Sequence, residues 1–381
     1  MKNILISGGN FVNKGAEAML YITVEQCLQR YPDSKCTIQL ADGFYTVTSL
    51  SQLYKLSQNR KKESFKKIIK LKNMILAYKK ADLMIDVSGY ELCSKLGIYP
   101  SVRYIFKIAL SKWTHTKVVL LPQSFGPFEY KGACGKVLKF GIRHYLRYPI
   151  ICFARERKSG EDLRTLVPKA RIKVSPDLVL QNKSIMSSIQ GVINRFEAEE
   201  IFAQSVALIV NRRLYEQYDK ETIVKKYITI LEKEIEQGRH IYLICHASDD
   251  LDICTELKRF FMNENSVHLI NRVLSCFEFE MLVRKFDYVI AARYHSIVHS
   301  YKEGIPCIAL GWALKYQELL EMMGQGMYLV NIGYEGEKEI LQKIEKMEQN
   351  LKLEREIVNK KLALAQKDNC FDVMFKEVSR Q

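Results

Sequence analysis

The chain has 381 residues, which is enough for two domains of ordinary size. Its composition, 48% hydrophobic and 27% charged, is typical of a packed globular protein and excludes a largely disordered chain. The formal net charge of +15 favours an anionic ligand, substrate or surface.

Neither a membrane span nor a secretory leader is predicted. Charged residues interrupt every apolar run before about 18 positions. The first residues lead directly into a strand-like stretch and then Gly, Asn and Lys, without the apolar core of a signal peptide. The ten cysteines are scattered and include no C-x-x-C pair, which favours buried free thiols over zinc ligands or disulfides. We therefore expect a cytoplasmic protein.

Strand and helix patterns alternate along the first half of the chain. A short apolar strand over residues 3–7 precedes a helix over 16–30, and CTIQLAD is a second strand. ADLMIDVSGY, TKVVLLPQSFGP, IICFA and ARIKV add four more strands. Such alternation predicts a parallel sheet covered by helices, so we assign residues 1–180 to an N-terminal Rossmann-like domain.

Between the second and third strands, residues 55–80 are strongly basic. They contain ten Lys or Arg residues and one acid, Glu63, and their apolar residues recur at near-helical spacing. This pattern predicts a basic amphipathic helix. It is either a solvated surface helix or a site that attracts an anionic membrane or a polyanionic, lipid-linked substrate. Nucleic acid is not an expected partner, because no aromatic-interleaved basic motif is present.

The second half repeats the alternating pattern. Residues 181–203 are polar and weakly patterned, as expected of a linker. The strands SVALIVNRR, HIYLICH, VHLIN, YVIAARYHS and PCIALGW, with helices between them, predict a second Rossmann-like domain over residues 204–334. Residues 335–381 read as a long charged amphipathic helix with a break near Asn369 and Cys370.

Polar side chains follow the predicted strands, where parallel sheets bind their ligands. In the first half they include Asn13, Lys14, Glu17, Tyr90, Gln123 and Arg155. In the second half they include His246, Arg293, His295, Ser296 and Lys315. We expect these strand ends to line a cleft that is rich in Arg, Lys and His and poor in carboxylates. Such a cleft favours a ligand that carries phosphate or carboxylate groups.

The segment AARYHSIVHSYKEGIPCIALG is the most informative part of the second half. A strand delivers Arg293 and His295 at its end, and a helix beginning near Ser296 directs its N–H groups into the same space. Arginine, imidazole and a helix amino terminus together favour a phosphate site. His295 alone is compatible with a core histidine, but Arg293 two residues earlier favours function.

The opening stretch, SGGNFVNKGAEAML, resembles a phosphate cradle but lacks the required spacing. It is neither G-x-G-x-x-G nor G-x4-G-K-[ST], which argues against NAD and ATP. The turn instead supplies backbone amides, Lys14 and the Glu17 carboxylate, which favours polyhydroxyl recognition and proton transfer. Glu17 in the first helical turn is also compatible with a surface acid favoured by the helix dipole.

The order of these segments resembles that of the polysaccharide pyruvyl transferases. NKGAEAML, SGYEL, LPQSFGP, ARERKSGEDL and AARYHSIVHSYKEGIPCIAL follow one another as in that family, over about residues 3–330. The resemblance implies a GT-B-like α/β fold, with two Rossmann-like domains that face a central cleft. It also implies an enzyme that moves the enolpyruvyl unit of phosphoenolpyruvate onto a sugar, usually as a pyruvate ketal in a bacterial capsule or exopolysaccharide.

By position, the resemblance assigns Arg293 and His295 to phosphoenolpyruvate binding and makes Arg155 a second grip on that donor. Ser296 and Lys315 complete the predicted donor site. At residues 87–90 the chain has VSGY where the family often has a glycine triplet, a departure that affects the loop and the choice of acceptor.

The implied chemistry needs a general acid, a general base and positive groups for the departing phosphate. We expect Arg293 and His295 to hold or protonate the phosphate, and Glu17 or His246 to move protons of the acceptor or the methylene carbon. The predicted acceptor-binding residues are Asn13, Lys14, Tyr90 and Gln123. No metal or other cofactor is expected. The basic segment favours a polyprenyl-diphosphate-linked acceptor at the inner face of the membrane.

Two other functions stay open. A GT-B glycosyltransferase that uses a nucleotide sugar would usually have an acidic ribose contact late in the second domain. ALKYQELLEMMG offers Glu318 and Glu321 there without a clear signature. A non-catalytic glycan-binding protein at the membrane would depend on the basic segment, but the presence of Arg155, Arg293 and His295 argues against it.

Overall fold

The computed structural model describes residues 2–61, 69–182, 200–311, 313–367 and 369–381. The chain forms two compact units. Unit 1 comprises Met1–Phe11, Ala16–Val192 and Asp368–Gln381, and unit 2 comprises Val12–Gly15 and Ile193–Lys367. The short segment Val12–Gly15, which lies in the opening motif, therefore belongs to unit 2.

Unit 1 contains a seven-stranded sheet with the order β3-β2-β1-β4-β5-β6-β7. Its strands are β1 (Asn3–Ser7), β2 (Lys35–Leu40), β3 (Gly43–Val47), β4 (Leu83–Asp86), β5 (Lys117–Gln123), β6 (Ile151–Ala154) and β7 (Ile172–Val174). β2 and β3 pair antiparallel, and the other neighbours pair in parallel. The central strands are buried on both faces, so they are continuous apolar runs rather than alternating ones.

Helices connect these strands. They are α1 (Lys14–Arg30), α2 (Leu50–Lys61), α3 (Leu71–Lys80), α4 (Ile98–Trp113), α5 (Gly132–Tyr145), α6 (Arg157–Leu166) and α7 (Leu178–Gln181). A core of apolar residues from β4, β5, β6 and helices α4 to α6 lies on one side of the sheet.

The strand order of unit 1 reverses at β1, which lies between β2 and β4. Ser7 at the end of β1 is in register with Asp86 at the end of β4. Gly8 follows with a φ of 89°, and a Cβ there would lie 2.3 Å from the hydroxyl oxygen of Ser88. Only glycine fits this close approach, which places Asp86 and Ser88 at the carboxyl edge of the sheet.

Unit 2 contains a six-stranded parallel sheet with the order β10-β9-β8-β11-β12-β13. Its strands are β8 (Ser205–Ile209), β9 (His240–Ile244), β10 (Val267–Ile270), β11 (Tyr288–Ala291), β12 (Cys307–Gly311) and β13 (Leu329–Asn331). Its helices are α8 (Arg213–Gln217), α9 (Lys220–Glu236), α10 (Leu251–Phe260), α11 (Cys276–Val283), α12 (Tyr294–Lys302), α13 (Leu314–Met322) and α14 (Glu337–Ala365). The strands pack with α9, α10 and α14 in one core.

The last helix, α15 (Cys370–Ser379), belongs to unit 1. Asn369 caps it, since its side-chain oxygen accepts a hydrogen bond from Phe371 N over 2.9 Å. The helix packs against β5 and β6, and Cys370 N donates to Gln181 Oε1 over 2.8 Å. The predicted break near Asn369 and Cys370 is confirmed. That the segment after the break returns to unit 1 is not evident from its sequence pattern.

The predicted alternation of strands and helices is confirmed, with the following differences. The edge strand β13 was not predicted, because it has only three residues, LVN. β3 was not predicted, because its short segment GFYTV follows β2 after a tight turn and lacks clear alternation. The prediction of one helix over residues 55–80 is wrong where the chain is described, because Ile69 and Lys70 are non-helical and separate α3 from the preceding segment. Residues 62–68 and most of the predicted linker, 183–199, lie outside the described residues.

No helix in the described part of the chain is both long and apolar enough to cross a membrane. The predicted domain bounds at residues 180, 203 and 334 stay predictions.

Candidate functional site

In unit 2, the carboxyl ends of β8, β9 and β11 bring together several of the predicted site residues. The strand order reverses at β8 and β11, where open α/β sheets bind their ligands. β11 leads through Arg293 directly into α12, whose first turn carries His295 and Ser296. His246 follows the end of β9.

Two carboxylates hold Arg293 in place. Its Nε donates to Asp250 Oδ2 over 2.9 Å, and its Nη2 donates to Asp249 Oδ1 over 2.9 Å and to Asp250 Oδ1. Asp250 is fully buried and also accepts hydrogen bonds from the backbone N–H groups of Ala247 and Arg212. Burial alone would lower the pKa of Arg293, but the neighbouring carboxylates raise it above its ordinary value. Asp250 therefore fixes the plane of the guanidinium.

One edge of this guanidinium is available to a ligand. The hydrogen bonds of Arg293 to other described residues use Nε and Nη2, and none uses Nη1. The side chain is 12% exposed. A guanidinium has five donors in a rigid fork, so Nη1 can bind an anionic oxygen while Asp250 orients the rest. The sequence predicts few carboxylates at this strand edge, whereas the structure places Asp249 and Asp250 there. These two carboxylates compensate the positive charge of the largely buried Arg293.

The imidazole of His295 packs directly against Gly15. A Cβ on Gly15 would lie 2.0 Å from Cγ of the His295 ring, so any other residue there would displace the imidazole. The neighbouring Ser296 is fully buried, and its hydroxyl donates to the carbonyl of Arg293 over 2.6 Å. The glycine of the N-K-G-A-E motif thus determines where His295 lies.

His246 is buried among positive groups. Neither ring nitrogen of His246 has a hydrogen-bond partner among the described residues. Burial lowers the pKa of His246 well below its ordinary value, and the charges of Lys14, Arg293 and His295 act in the same direction. A neutral imidazole can accept a proton but is a poor donor near neutral pH.

Lys14, predicted to bind the acceptor, is itself buried. Its ammonium donates to the carbonyl of Cys245 over 3.1 Å and to the carbonyl of His246. Within unit 2, these bonds attach the segment Val12–Gly15 to the chain that follows β9. A positioning role fits these contacts better than direct contact with a sugar.

Further along α12, His299 and Lys302 are buried beside one carboxylate of α11. His299 Nδ1 lies 2.8 Å from Glu280 Oε1, and Lys302 Nζ donates to the same oxygen over 2.7 Å. Burial alone would raise the pKa of Glu280, but Lys302 and His299 hold it at about 2. This ionic cluster joins α12 to α11 and so supports the turn that carries His295.

Lys315, at the start of α13, lies near two aromatic rings. Its Nζ is 5.3 Å from the ring centroid of Tyr294 and 5.7 Å from that of Tyr316. The Tyr316 hydroxyl donates to the carbonyl of Ala292 over 3.1 Å, which ties α13 to the end of β11. Lys315 therefore lies near the same strand edge as Arg293, and its role in a donor site stays a prediction.

In unit 1, Arg155 lies in a closed polar network at the end of β6. Its Nε donates to Glu156 over 2.9 Å, Nη1 to Asp177 over 2.8 Å and Nη2 to Ser124 over 2.7 Å. The side chain is 2% exposed. All three guanidinium nitrogens are thus engaged by the protein.

A second network in unit 1 surrounds Lys107 of α4. Its Nζ donates to Asp86 over 2.7 Å and to Glu91 over 3.2 Å. Burial alone would lower the pKa of Lys107, but Asp86 and Glu91 raise it. Gln123, predicted to bind the acceptor, is buried beside this network, where its Nε2 lies 3.4 Å from Asp86 Oδ1.

The structure places the other predicted residues as follows. Glu17 is buried in the first turn of α1. Asn13 precedes α1, and its side-chain oxygen accepts a hydrogen bond from Gly15 N over 3.0 Å, as in a helix cap. Tyr90 is partly buried, and its hydroxyl lies 3.4 Å from the carbonyl of Gly126. Burial raises the pKa of Tyr90, so its hydroxyl stays protonated at neutral pH.

Several buried charged residues that hold the predicted site residues in place were not predicted from the sequence. They are Lys107, Asp177, Asp250, Glu280, His299 and Lys302. Some signals were present, since Lys107 is a single charge within the apolar run YIFKIAL, Glu280 lies among the apolar residues of CFEFEMLV, and His299 lies four residues after His295. Their partners come from other segments, which local patterns do not reveal.

The sequence matches the family described as Polysaccharide pyruvyl transferase over residues 13–313. A search of curated proteins gave no significant match.

Solved structures with similar folds include two epimerases and a transferase. The UDP-GlcNAc 2-epimerase of Neisseria meningitidis, bound to UDP-GlcNAc, has 11% identity and a TM-score of 0.63 over 100% of both chains. The UDP-GlcNAc 2-epimerase of Methanocaldococcus jannaschii has 13% identity and a TM-score of 0.57 over 91% of this chain and 92% of its own. A ugt transferase of Siraitia grosvenorii in complex with UDP has 10% identity and a TM-score of 0.53 over 99% of both chains. These likenesses concern the fold alone, and they confirm the predicted GT-B-like α/β fold.

Proposed function

Because the chain belongs to the polysaccharide pyruvyl transferase family, we propose that it transfers the enolpyruvyl unit of phosphoenolpyruvate to a sugar of a surface-polysaccharide precursor. The product is a pyruvate ketal, and inorganic phosphate is released. One observation carries the donor assignment. Asp250 orients Arg293 at the end of β11 through Nε and Nη2, and the hydrogen bonds of Arg293 to described residues leave Nη1 for a ligand. His295 follows in the first turn of α12.

The reaction requires two proton movements and two new C–O bonds. The methylene carbon of phosphoenolpyruvate takes a proton and becomes a methyl group, which leaves an oxocarbenium-like centre at the adjacent carbon. One sugar hydroxyl attacks this centre, and a second hydroxyl then displaces phosphate. The two hydroxyl protons balance the one taken up by carbon and the one that leaves with phosphate. Positive groups stabilise the departing phosphate throughout.

The residues of unit 2 suit these steps. We assign Arg293 and Lys315 to the anionic groups of the donor, with Ser296 fixing the turn that follows Arg293. His295 holds or protonates the phosphate. Burial and nearby positive charges keep His246 neutral, which argues against a role as general acid. His246 stays a candidate for the base, but the same lowered pKa makes it a weaker base than a free imidazole. Glu17 is the other candidate for moving a proton.

Acceptor recognition is the less constrained part of this proposal. Tyr90 and Asn13 are candidate contacts, whereas Lys14 and Gln123 are already bonded within the protein and suit supporting roles. Arg155, predicted as a second donor contact, would have to exchange a protein partner for phosphate. We propose a lipid-linked acceptor, possessing a polyprenyl diphosphate, at the cytoplasmic face of the membrane.

The proposal is tested by incubating the purified protein with phosphoenolpyruvate and a panel of free and lipid-linked oligosaccharides. Phosphate release and a pyruvate ketal on the glycan, detected by mass spectrometry, are the expected results. Thermal-shift assays with UDP- and GDP-sugars test the glycosyltransferase alternative. Stabilisation by a nucleotide sugar but not by phosphoenolpyruvate would overturn the donor assignment, and saturable glycan binding without phosphate release would favour a binding protein.

A further inference from the structure

Helices α4 and α5 of unit 1 pack against each other and expose a series of large apolar side chains. On α4 these residues recur at intervals of three, four and seven positions, which places them on one face of the helix. On α5 two more lie three positions apart. Together they are Tyr99, Val102, Phe106, Trp113, Val137 and Phe140. Their exposed fractions range from 41% for Phe106 to 77% for Tyr99, which is costly unless a partner covers them.

The same region is strongly basic. Residues 94–148 contain ten Lys or Arg residues and a single acid, Glu129, which lies outside both helices. Seven of the basic residues are exposed, namely Lys95, Arg103, Lys112, Lys131, Lys136, Arg143 and Arg147, and one of them, Arg103, pairs with Glu91. α3, which packs against α4, adds the exposed lysines Lys72, Lys79 and Lys80. The apolar side chains therefore lie within a surface whose charge attracts anions.

We propose that the α4–α5 face docks on an anionic phospholipid bilayer. Such a bilayer offers what this face requires, an anionic headgroup layer above an apolar interior. Trp113 and Tyr99 are of the residue types that favour the membrane interface, and Lys or Arg stems can extend to the phosphates around them. The inference rests on the surface of unit 1 alone and is independent of the proposed reaction.

A second copy of the chain fits this face less well. A symmetric dimer places the same patch of both copies in contact. The exposed lysines and arginines of one copy would then face those of the other, with Glu129 as the one compensating acid in the segment. Like charges at an interface oppose association, whereas anionic lipid neutralises them.

Co-sedimentation of the full-length protein with vesicles tests the proposal. Vesicles that mix phosphatidylglycerol with phosphatidylcholine are compared with phosphatidylcholine alone, at low and high salt. We expect binding to the mixed vesicles that weakens with salt. The double variant Val137→Ser and Phe140→Ser removes apolar contact and should lower partitioning about tenfold or more. The double variant Lys136→Glu and Arg143→Glu should lower it by a similar or larger factor.

A matched control uses exposed apolar residues of unit 2. Phe260 and Met262 are 59% and 73% exposed, comparable to Val137 and Phe140 at 72% and 71%. Phe260→Ser with Met262→Ser should leave vesicle binding unchanged. Circular dichroism and melting temperature establish that all variants fold.

Absence of vesicle binding by the folded wild-type protein would overturn the proposal. So would equal loss in the control, or vesicle binding that the α4–α5 variants retain. A dimer in light scattering that the Val137→Ser and Phe140→Ser variant converts to monomer, without vesicle binding, would assign the face to a second copy instead. Phosphate release from phosphoenolpyruvate with a soluble acceptor is measured separately, so failure here does not bear on the reaction.

Discussion

Each unit has an arginine at the carboxyl edge of its sheet, bonded to two carboxylates. Arg155 in unit 1 is closed, since Glu156, Asp177 and Ser124 engage its three nitrogens and the side chain is 2% exposed. Arg293 in unit 2 is open, since its bonds use two nitrogens and the side chain is 12% exposed. The same residue type at the same kind of strand end can thus stabilise the fold in one unit and be available to a ligand in the other.

The largest expected effect comes from the open arginine. Arg293→Lys keeps the positive charge but loses the fork that binds Asp250 and a ligand oxygen together. We expect kcat/KM for phosphoenolpyruvate to fall by about 10²–10³-fold, as for the loss of a donor to a departing anion. The matched control is Arg212→Lys, because Arg212 is 49% exposed and pairs with Asp252 at the surface. Equal turnover in both variants would place the donor elsewhere.

The next effect tests the contact between Gly15 and His295. Gly15→Ala adds a methyl group where the imidazole now lies, so His295 must move. A displacement of about 1 Å at a catalytic group can cost about 10²-fold in rate, and we expect a loss of that order. Gly141→Ala is the control, because nothing lies within 4 Å of the position of its Cβ. Steady-state kinetics with full activity in Gly15→Ala would exclude His295 from the reaction.

Local sequence patterns reveal only some of the contacts on which these two predictions depend. The strands are recognisable because buried parallel strands are apolar runs, and Arg293 and His295 are recognisable because they follow one. The carboxylate that pairs with each arginine is not recognisable in this way. Asp177 lies 22 residues from Arg155, and Asp250 lies 43 residues from Arg293, so the pairing depends on how loops from different strands meet.

The opening motif, SGGNFVNKGAEAML, also has a partner that is distant in the sequence. Its spacing matches neither the dinucleotide nor the P-loop pattern, and it does not reveal that Lys14 donates to the carbonyl of Cys245, 231 residues away. No periodicity connects these two positions. A charge inside an apolar helix, such as Lys107 or Glu280, is the usable signal, because a buried charge requires a partner even when the partner is unknown.

For Arg155, whose guanidinium is bonded within the protein, we expect an effect on stability and not on turnover. Asp177→Asn removes one carboxylate from buried Arg155, and we expect a loss of about 3 kcal/mol in the free energy of unfolding. Urea unfolding and isothermal titration with phosphoenolpyruvate measure the two properties. Unchanged donor affinity is the expected result. Altered affinity with little loss of stability would mean that Arg155 contacts the donor, as its position in the sequence predicts.

The smallest effect is a pH dependence at His246. Its folded-state pKa lies well below its ordinary value of about 6.5, so below that pH the unfolded chain binds a proton that the folded chain does not. The free energy of unfolding should therefore decrease as the pH is lowered below about 6.5, by at most about 1.4 kcal/mol per pH unit from this group. His246→Leu should flatten this slope between about pH 6.5 and 5. An identical slope in both proteins would contradict the assignment. Glu280 acts in a separate window, because its pKa of about 2 affects stability only below about pH 4.3.

We propose that the strand edge of unit 2 that carries Arg293 binds phosphoenolpyruvate for pyruvyl transfer. The most direct measurement is the stoichiometry of phosphate released to ketal formed on an accepted oligosaccharide, in the wild type, Arg293→Lys and Arg212→Lys. We expect one phosphate per ketal in the wild type and Arg212→Lys, and near-complete loss of both products in Arg293→Lys. Undiminished phosphate and ketal formation by folded Arg293→Lys would contradict it.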